Sequence, residues 1–265
     1  MYIDAHTHLN SEKLFENYDK YIEEFEYIGG KDMVNVAIDI DRAQKALDIQ
    51  KNNKTTVNLY SSVGFHPSLV GMGDIQDLDF DDLIKKAEKF IFENRQYISF
   101  FGECGIDTHY DGGKSLDSQK KFFRMQCEVA RFYNLPLIVH SRDDFDNTFD
   151  VLKDFPDLKI YFHCWGYGPD QVDRLQEYFE NVWIGFTGNV TFPKAEQVRQ
   201  SFLKTKKENL LMETDAPYLA PQKMRGKLNK PSYVVYTYDY CAKLLDMDLE
   251  DFKTTVKSNF DSLLG

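Results

Sequence analysis

The chain has 265 residues, of which 42% are hydrophobic and 28% charged, a composition typical of a folded globular protein that excludes a disordered one. Its length predicts a single large domain over residues 1–265, since roughly 250 residues are usual for one (β/α)8 barrel. The formal net charge of -11 excludes a protein that coats nucleic acid with a broad basic surface, because neutralising phosphates requires clustered lysine and arginine.

Short apolar runs that favour β-strands recur along the chain, each followed by a longer stretch with helical periodicity. In chain order, the predicted strands are residues 2–5, 33–38, 57–63, 98–101, 135–139, 158–162, 182–186 and 210–212. The runs are almost continuously apolar, which is typical of parallel strands covered on both sides. This alternation predicts an α/β protein with a single (β/α)8 TIM barrel, and an open doubly wound sheet is the alternative.

Two intervening segments carry clear helix signals. One predicted helix has an apolar stripe made by Phe122, Met125, Val129 and Phe132. Asp117 or Ser118 could cap its N-terminus. A second helix is predicted to open with Gly168-Pro169, because proline is tolerated in the first turn, where its missing N–H is harmless.

Most of the histidines follow a predicted strand. Five of the six lie at or just after the end of an apolar run, namely His6, His8, His66, His140 and His163. Glu103 and Asp215 occupy matching positions. Because the carboxyl ends of all strands of a barrel meet at one face, these side chains are predicted to converge on one site.

His6 and His8 have the period-two spacing that places both imidazoles on one face of a strand, where they could hold one metal ion. Asp4 shares that face and could orient one imidazole. Such a pair taken alone is equally compatible with hydrogen-bonded histidines. The full set of nitrogen and oxygen donors exceeds the need of one zinc-like ion and suits two ions bridged by a carboxylate. The mixed ligands are compatible with Mg, Mn or Zn.

A centre of this kind would stay slightly cationic and would favour an anion such as a phosphodiester. Two ions about 3.5–4 Å apart can activate a water, polarise the phosphoryl oxygens and stabilise the leaving alkoxide. Basic residues in loops at the same face could neutralise further phosphates, namely Arg142, Lys223, Arg225, Lys227 and Lys230. Aromatic residues that could stack on unpaired bases are Phe65, Trp165, Phe192 and Tyr218. Ordinary solvated charges and core aromatics are the alternative interpretation.

Six short motifs run in the same order as in a known family. They are Asp4-Ala5-His6-Thr7-His8, Gly64-Phe65-His66-Pro67, Gly102-Glu103-Cys104-Gly105-Ile106-Asp107, Pro136-Leu137-Ile138-Val139-His140-Ser141-Arg142, Phe162-His163-Cys164 and Glu213-Thr214-Asp215-Ala216-Pro217-Tyr218-Leu219. Together they resemble the TatD-type metal-dependent deoxyribonucleases of the amidohydrolase-like superfamily. The likeness extends from the first residues to about Pro231.

This resemblance implies specific roles for the site residues. His6, His8 and Asp215 would hold one metal, His140 and His163 the second, and Glu103 would touch both. The catalytic residues would be Asp215, Glu103 and His66, with Asp215 taking the proton of the attacking water. The substrate would be bound by His66, Arg142, Arg225 and Tyr218, with His66 on the phosphate. The family acts on DNA, which implies a 3'-5' exonuclease on single strands.

The chain departs from the family at two places. It has Leu228-Asn229-Lys230-Pro231, with lysine where the family usually has glutamate, and Trp165-Gly166-Tyr167-Gly168 where many relatives have a Ser/Gly-containing turn. Neither departure touches a predicted ligand. They bear on substrate preference more than on hydrolysis.

Two other functions remain open at this point. An amidohydrolase-like barrel could instead act on a small lactone, cyclic amide or phosphoester, although Glu103 stands where many of those enzymes carry a carboxylated lysine. A non-catalytic binding protein braced by metals is the other alternative.

The location of the chain is predicted from what the sequence lacks. It has no apolar run of about 20 residues and no signal-peptide pattern, so we expect a cytoplasmic protein with no membrane partner. No obligate protein partner is indicated. The cysteines form no C-x-x-C pair and are predicted to be reduced thiols.

Overall fold

The apolar runs form parallel strands of one sheet in a computed structural model, which describes residues 1–72, 78–109 and 111–265. The strands are β1 (Tyr2–Thr7), β2 (Gly30–Asn35), β3 (Asn58–Val63), β4 (Ile98–Asp107), β5 (Leu137–Arg142), β6 (Ile160–Phe162), β7 (Val182–Phe186) and β8 (Leu210–Met212). Each strand pairs in parallel with the next along the chain.

The sheet closes between its first strand and the segment that follows its last one. Thr7 forms a parallel bridge with Ala216. The N–H of Asp215 donates to the carbonyl of His6 at 2.8 Å, and the N–H of His8 donates to the carbonyl of Ala216 at 2.8 Å. The predicted (β/α)8 TIM barrel is therefore confirmed, and its closure brings Asp215 beside the two N-terminal histidines.

Helices alternate with the strands. They are α1 (Tyr18–Tyr27), α2 (Ile40–Asn52), α3 (Ser68–Gly71), α4 (Phe80–Asn94), α5 (Leu116–Phe132), α6 (Phe145–Leu152), α7 (Pro169–Tyr178), α8 (Glu196–Lys204), α9 (Val234–Leu244) and α10 (Leu249–Leu264). Aspartates cap several of them. Asp39 accepts the N–H of Arg42 at 2.7 Å in α2, and Asp144 accepts the N–H of Asn147 at 3.2 Å in α6.

The last two helices pack against the strands at the closure of the barrel. The hydroxyl of Tyr238 in α9 donates to the carbonyl of Ile3 at 3.1 Å and accepts its N–H at 3.1 Å. The amide of Asn259 in α10 donates to the carbonyl of Leu210 at 2.9 Å. These bonds anchor the C-terminal helices to β1 and β8.

The predicted C-terminal ends of three strands are wrong by three residues or more. The second strand ends at Asn35 and not at residue 38, whereas β4 and β5 run on to Asp107 and Arg142. Pairing continues there because Cys104 lies opposite Val139 and Asp107 opposite Arg142, beyond an irregularity in the ladder. Glu103 and His140 therefore project from within strands.

A close approach of the two backbones explains the glycines of β4. A Cβ on Gly105, whose φ is +146°, would lie 1.9 Å from the carbonyl oxygen of His140. Only glycine allows this backbone conformation and this contact. Because glycine is depleted in strands, residue propensities do not predict that β4 continues through these glycines.

The predicted stripe of α5 is partly wrong. Phe122 and Val129 are buried, but Phe132 is 78% exposed at the end of the helix. The helix begins after Ser115, and Asp117 lies in its first turn. The prediction for α7 is confirmed, because Pro169 opens that helix, and Val172 and Leu175 are buried.

The four cysteines are free thiols, as predicted. Within the described part of the chain, no helix combines the length and the apolar character needed to cross a membrane.

Candidate metal centre

The side chains predicted to form a site converge at one end of the barrel. His8, His66, Glu103, His140, His163 and Asp215 line a cavity of about 680 Å³ there. His6 lies behind them and is fully buried. The convergence follows from the fold, because each residue stands in or just after the carboxyl end of a strand.

Glu103 is the centre of this cluster. Its Oε1 lies 2.7 Å from Nε2 of His163 and 2.9 Å from Nδ1 of His140. Its Oε2 faces the other way, 3.4 Å from Nε2 of His6 and 3.7 Å from Nε2 of His8. One carboxylate therefore presents a different oxygen to each pair of histidines.

The first group of donors fits a single cation. Nε2 of His6 and His8 lie 3.2 Å apart, and Oδ1 of Asp215 lies 3.2 Å from His8 and 3.9 Å from His6. The distances from these two nitrogens to each other, to Oδ1 of Asp215 and to Oε2 of Glu103 are 3.2–3.9 Å. Donors around a tetrahedral ion with bonds of about 2.1 Å lie about 3.4 Å apart.

The second group consists of three donor atoms. Nδ1 of His140 lies 3.1 Å from Nε2 of His163, and both nitrogens face Oε1 of Glu103. Three protein donors beside a cavity are typical of a metal site that keeps one position open for water or substrate. The structure therefore has two groups of donors that share Glu103, and each group could hold a metal ion.

Two of the imidazoles are oriented as ligands by a hydrogen bond at the ring nitrogen that faces away from the cluster. Nδ1 of His8 lies 3.0 Å from the carbonyl oxygen of Val36, which places the proton there and leaves Nε2 as a ligand atom. Nε2 of His140 lies 3.1 Å from Oδ2 of Asp107, so its Nδ1 faces Glu103. Asp107 also accepts the N–H of His109 at 2.9 Å and so holds the loop after β4.

Asp4 does not orient an imidazole, contrary to the prediction. Its carboxyl group accepts the N–H of Thr214 at 2.8 Å and the hydroxyl of Thr214 at 2.6 Å. Burial raises the pKa of Asp4 to about 7 even though these hydrogen bonds favour the carboxylate. Asp4 therefore positions the segment that carries Asp215.

Asp215 depends on that support, because its φ of +53° lies in the left-handed region. Asn229, which sequence reasoning passed over, supplies more of it. The fully buried amide of Asn229 donates to the carbonyl of Thr214 at 2.9 Å and to that of Tyr218 at 2.5 Å. The signal for Asn229 in the sequence was its position in the motif Leu228-Asn229-Lys230-Pro231.

His66 lies against Glu103 but is oriented differently from the other imidazoles. Its Nε2 is 3.4 Å from Oε1 of Glu103, while its Nδ1 accepts the N–H of Ser68 at 3.0 Å. The proton of the neutral ring is therefore on Nε2. His66 faces the cavity as a hydrogen-bond donor, which suits an anionic oxygen better than a cation.

The charges of the cluster are set by mutual contact. Burial alone would raise the pKa of Glu103, but the imidazoles of His163 and His66 hold it well below its usual value. Burial opposes a charge on His140, yet its hydrogen bonds to Asp107 and Glu103 raise its pKa to about 9. Burial lowers the pKa of His6 to about 3. Hydrogen bonding and charge from His8 also lower the pKa of Asp215 despite its burial, so the carboxylates of Glu103 and Asp215 are ionised and can bind cations.

Glu213 was also missed as a site residue. It is fully buried, and Oε1 accepts the N–H of Cys164 at 2.6 Å and lies 3.8 Å from Nδ1 of His163. Its other oxygen accepts the hydroxyl of Tyr161. Burial raises its pKa well above the usual range. The signal in the sequence was a second acidic residue two positions before Asp215.

The predicted substrate-binding residues are placed differently from one another. Arg142 and Tyr218 line the cavity. Arg225 lies over the ring of Phe192, 4.3 Å from its centroid, and is outside the described cavity wall. Lys230 pairs with Glu24 at 2.5 Å, so the lysine that departs from the family pattern has a local partner.

Two of the predicted stacking aromatics are wrong. Phe65 is 2% exposed and Trp165 is 1% exposed, so both belong to the core. Tyr218 is 52% exposed and lines the cavity.

Comparison with known proteins identifies the family of this chain. A family model described as TatD related DNase matches residues 3–265. The chain belongs to the TatD family of metal-dependent hydrolases. An uncharacterized metal-dependent hydrolase of Mycoplasma genitalium is 32% identical to it over 266 residues, which cover 99% of this chain and 98% of the relative.

Other TatD proteins extend the likeness in two ways. The crystal structure of YJJV, a TatD homologue from Escherichia coli, has a TM-score of 0.88 at 22% identity and covers 99% of this chain and 97% of its own. The 3'-5' RNA nuclease TATDN2 of Homo sapiens is 29% identical over 168 residues, 62% of this chain and 22% of the human protein. The predicted TatD membership is confirmed.

Proposed function

We propose that this TatD hydrolase cuts phosphodiester bonds of DNA and works as a 3'-5' exonuclease on single strands. The observation that carries the proposal is the double-sided placement of Glu103, with Oε1 2.7 Å from His163 and Oε2 3.4 Å from His6. A carboxylate so placed suits two divalent ions, for which Mg, Mn and Zn are all candidates. We propose that residues 1–265 act as one domain.

The ligand assignment in this proposal has two halves. His6, His8 and Asp215 would hold one ion, His140 and His163 would hold the other, and Glu103 would contribute to both. Bound ions of this kind lower the pKa of a water and stabilise charge on a phosphoryl group. The chain itself fixes where that chemistry occurs, because the donors come from elements locked together by the barrel.

The remaining roles fall to side chains at the wall of the cavity. Asp215, whose pKa is kept low by His8 despite burial, accepts the proton of the attacking water. His66 donates from Nε2 to a phosphoryl oxygen. Arg142 neutralises a neighbouring phosphate and Tyr218 stacks on a base. Arg225 has a weaker case, since it lies over Phe192 outside the cavity wall.

The size of the cavity is compatible with a nucleotide. Its volume of about 680 Å³ lies within the range of roughly 300–1,000 Å³ that is usual for small-ligand sites. Such a space admits a strand end and its terminal nucleotide. The human relative named as an RNA nuclease makes RNA the necessary comparison substrate.

Digestion of end-labelled oligonucleotides tests the proposal. Single-stranded DNA and RNA of one sequence, labelled at the 5' or the 3' end, are incubated with the protein and Mg, Mn or Zn, with a chelated control and a Glu103→Gln control. Stepwise shortening of 5'-labelled DNA, with early release of a 3' label, is expected. Intact DNA alongside turnover of a lactone panel would favour the amidohydrolase-like alternative. Preference for RNA would correct the substrate.

A further inference from the structure

We infer that Arg42 binds a backbone phosphate of the substrate strand next to the scissile one. This inference rests on the proposed nuclease function. Arg42 lies in the first turn of α2 and lines the same cavity as His8 and Asp215. Its side chain is 18% exposed, so most of it is held in the wall.

Asn10 fixes the position of Arg42 relative to the candidate ligands. The guanidinium donates from Nη1 to the carbonyl of Asn10, whose own amide donates back to the carbonyl of Arg42 at 3.1 Å. The same amide donates to the carbonyl of Val36 at 2.9 Å, and that oxygen also lies 3.0 Å from Nδ1 of His8. The buried side chain of Asn10 therefore connects Arg42 to the carbonyl oxygen that orients His8.

The outer end of Arg42 is available for exchange. Its Nη2 lies 3.5 Å from Oε1 of Glu12, whose side chain is 88% exposed. A long ion pair whose carboxylate is surrounded by water contributes little, and a phosphate can replace that carboxylate. A guanidinium carries five N–H donors in a planar fork that matches phosphate oxygens. Arg42 keeps donors beyond those used on Asn10 and Glu12.

The position of Arg42 defines a path for the strand. It follows β2, whereas Arg142 ends β5, three strand positions further around the barrel. The ligand cluster lies at the mouth between them. When the 3' end of a strand lies at the ligand cluster, the next phosphate is on the 5' side of the scissile bond, and Arg42 binds that phosphate. This contact favours a polymer over an isolated phosphodiester.

Kinetics on two substrates test this role. Arg42→Met and Arg42→Lys are compared with the wild type on a ten-nucleotide single-stranded DNA and on bis(4-nitrophenyl) phosphate, which has a phosphodiester but no flanking phosphate. Arg124→Met is the matched control, because Arg124 is exposed and paired with Asp154 at 2.6 Å.

The loss of kcat/KM in Arg42→Met is expected to be about tenfold larger on the oligonucleotide than on the small diester. This extra loss should come from a higher KM for the oligonucleotide. The slope of log KM against log salt should fall by about 0.7, the value for one single-strand phosphate contact. Arg42→Lys should retain part of the affinity, since it keeps the charge without the fork. Arg124→Met should match the wild type.

A second variant tests the role of Arg42 even if Arg42→Met does not fold. Glu12→Gln removes the competing carboxylate from an exposed site, so KM for the oligonucleotide should fall about twofold while the salt slope is kept. Equal losses on both substrates in Arg42→Met, with no effect of Glu12→Gln, would overturn the role of Arg42 alone. A wild type that hydrolyses the small diester but no oligonucleotide would overturn the nuclease proposal and this role together.

Discussion

Oε1 of Glu103 lies 2.7 Å from Nε2 of His163, although 60 positions of sequence separate the two residues. The barrel produces this contact. Glu103 projects from β4 and donates its N–H to the carbonyl of Ala37 at 2.9 Å, while His163 follows β6 and donates its N–H to the carbonyl of Val139 at 3.1 Å. Backbone hydrogen bonds to segments of other strands therefore hold both side chains at one mouth of the barrel.

Glu103→Gln should abolish most of the activity. The amide keeps the size of the side chain but loses the charge and one of the two acceptor oxygens. We expect kcat on bis(4-nitrophenyl) phosphate to fall on the order of 10²–10³-fold, with less metal bound per chain. Elemental analysis alongside kinetics checks both. Glu93→Gln, at an exposed position in α4, is the control and should change neither. Activity within tenfold of the wild type would count against a bridging Glu103.

Asp107→Asn should change the protons released when metal binds. His140 in the metal-free protein has a pKa of about 9, raised by Asp107 and Glu103 against the effect of burial, so it is protonated at pH 7. A ligand imidazole must lose that proton, so metal binding at pH 7 should release about one proton from His140, and the release should fade as the pH rises through 9.

Removing the charge of Asp107 lowers the pKa of His140, so less proton release is expected near pH 8. Metal affinity should also fall about 10–100-fold, as for other partners of ligand histidines. Titration calorimetry in two buffers of different ionisation enthalpy measures both. Unchanged proton release in Asp107→Asn would show that Asp107 does not set the state of His140.

Asn229→Ala should destabilise the fold and weaken the site together. The substitution leaves the carbonyls of Thr214 and Tyr218 without their buried amide donor. We expect the free energy of unfolding to fall by about 1–3 kcal/mol. Urea denaturation measures it, and Asn52→Ala, which removes one exposed bond to Asp48, is the control. A loss no larger than that of the control would contradict a bracing role for Asn229.

Gly105→Ala should destabilise the junction of β4 and β5. The added methyl would meet the carbonyl of His140 at 1.9 Å, in a backbone conformation that alanine rarely adopts. A cost of more than about 2 kcal/mol is expected. Gly166→Ala is the matched control, because nothing lies within 4 Å of its added Cβ. Similar melting temperatures for the two variants would refute this account of the motif.

The sequence predicted the barrel and the convergence of the candidate ligand side chains at its mouth because both depend on short-range signals. Apolar runs mark parallel strands, and histidines at their carboxyl ends must meet at one face. It misjudged β4 because Gly102 and Gly105 interrupt the apolar run, whereas the structure uses them for close pairing with β5.

Contacts between distant segments could not be predicted in this way. Asp4 shares a strand face with His6, yet its carboxyl group binds Thr214, 210 positions away. Asn229 and Arg42 are ordinary polar residues in the sequence, and only the folded chain shows what they touch. Phe65 and Trp165 were misplaced because an aromatic in a loop next to a ligand can point either into the core or into the cavity.

Anomalous diffraction from crystals loaded with Mn tests the central claim most directly. The account predicts two peaks at the mouth of the barrel, one among His6, His8 and Asp215 and the other between His140 and His163, with one oxygen of Glu103 beside each. A single peak, or two peaks of which one does not contact Glu103, would contradict it.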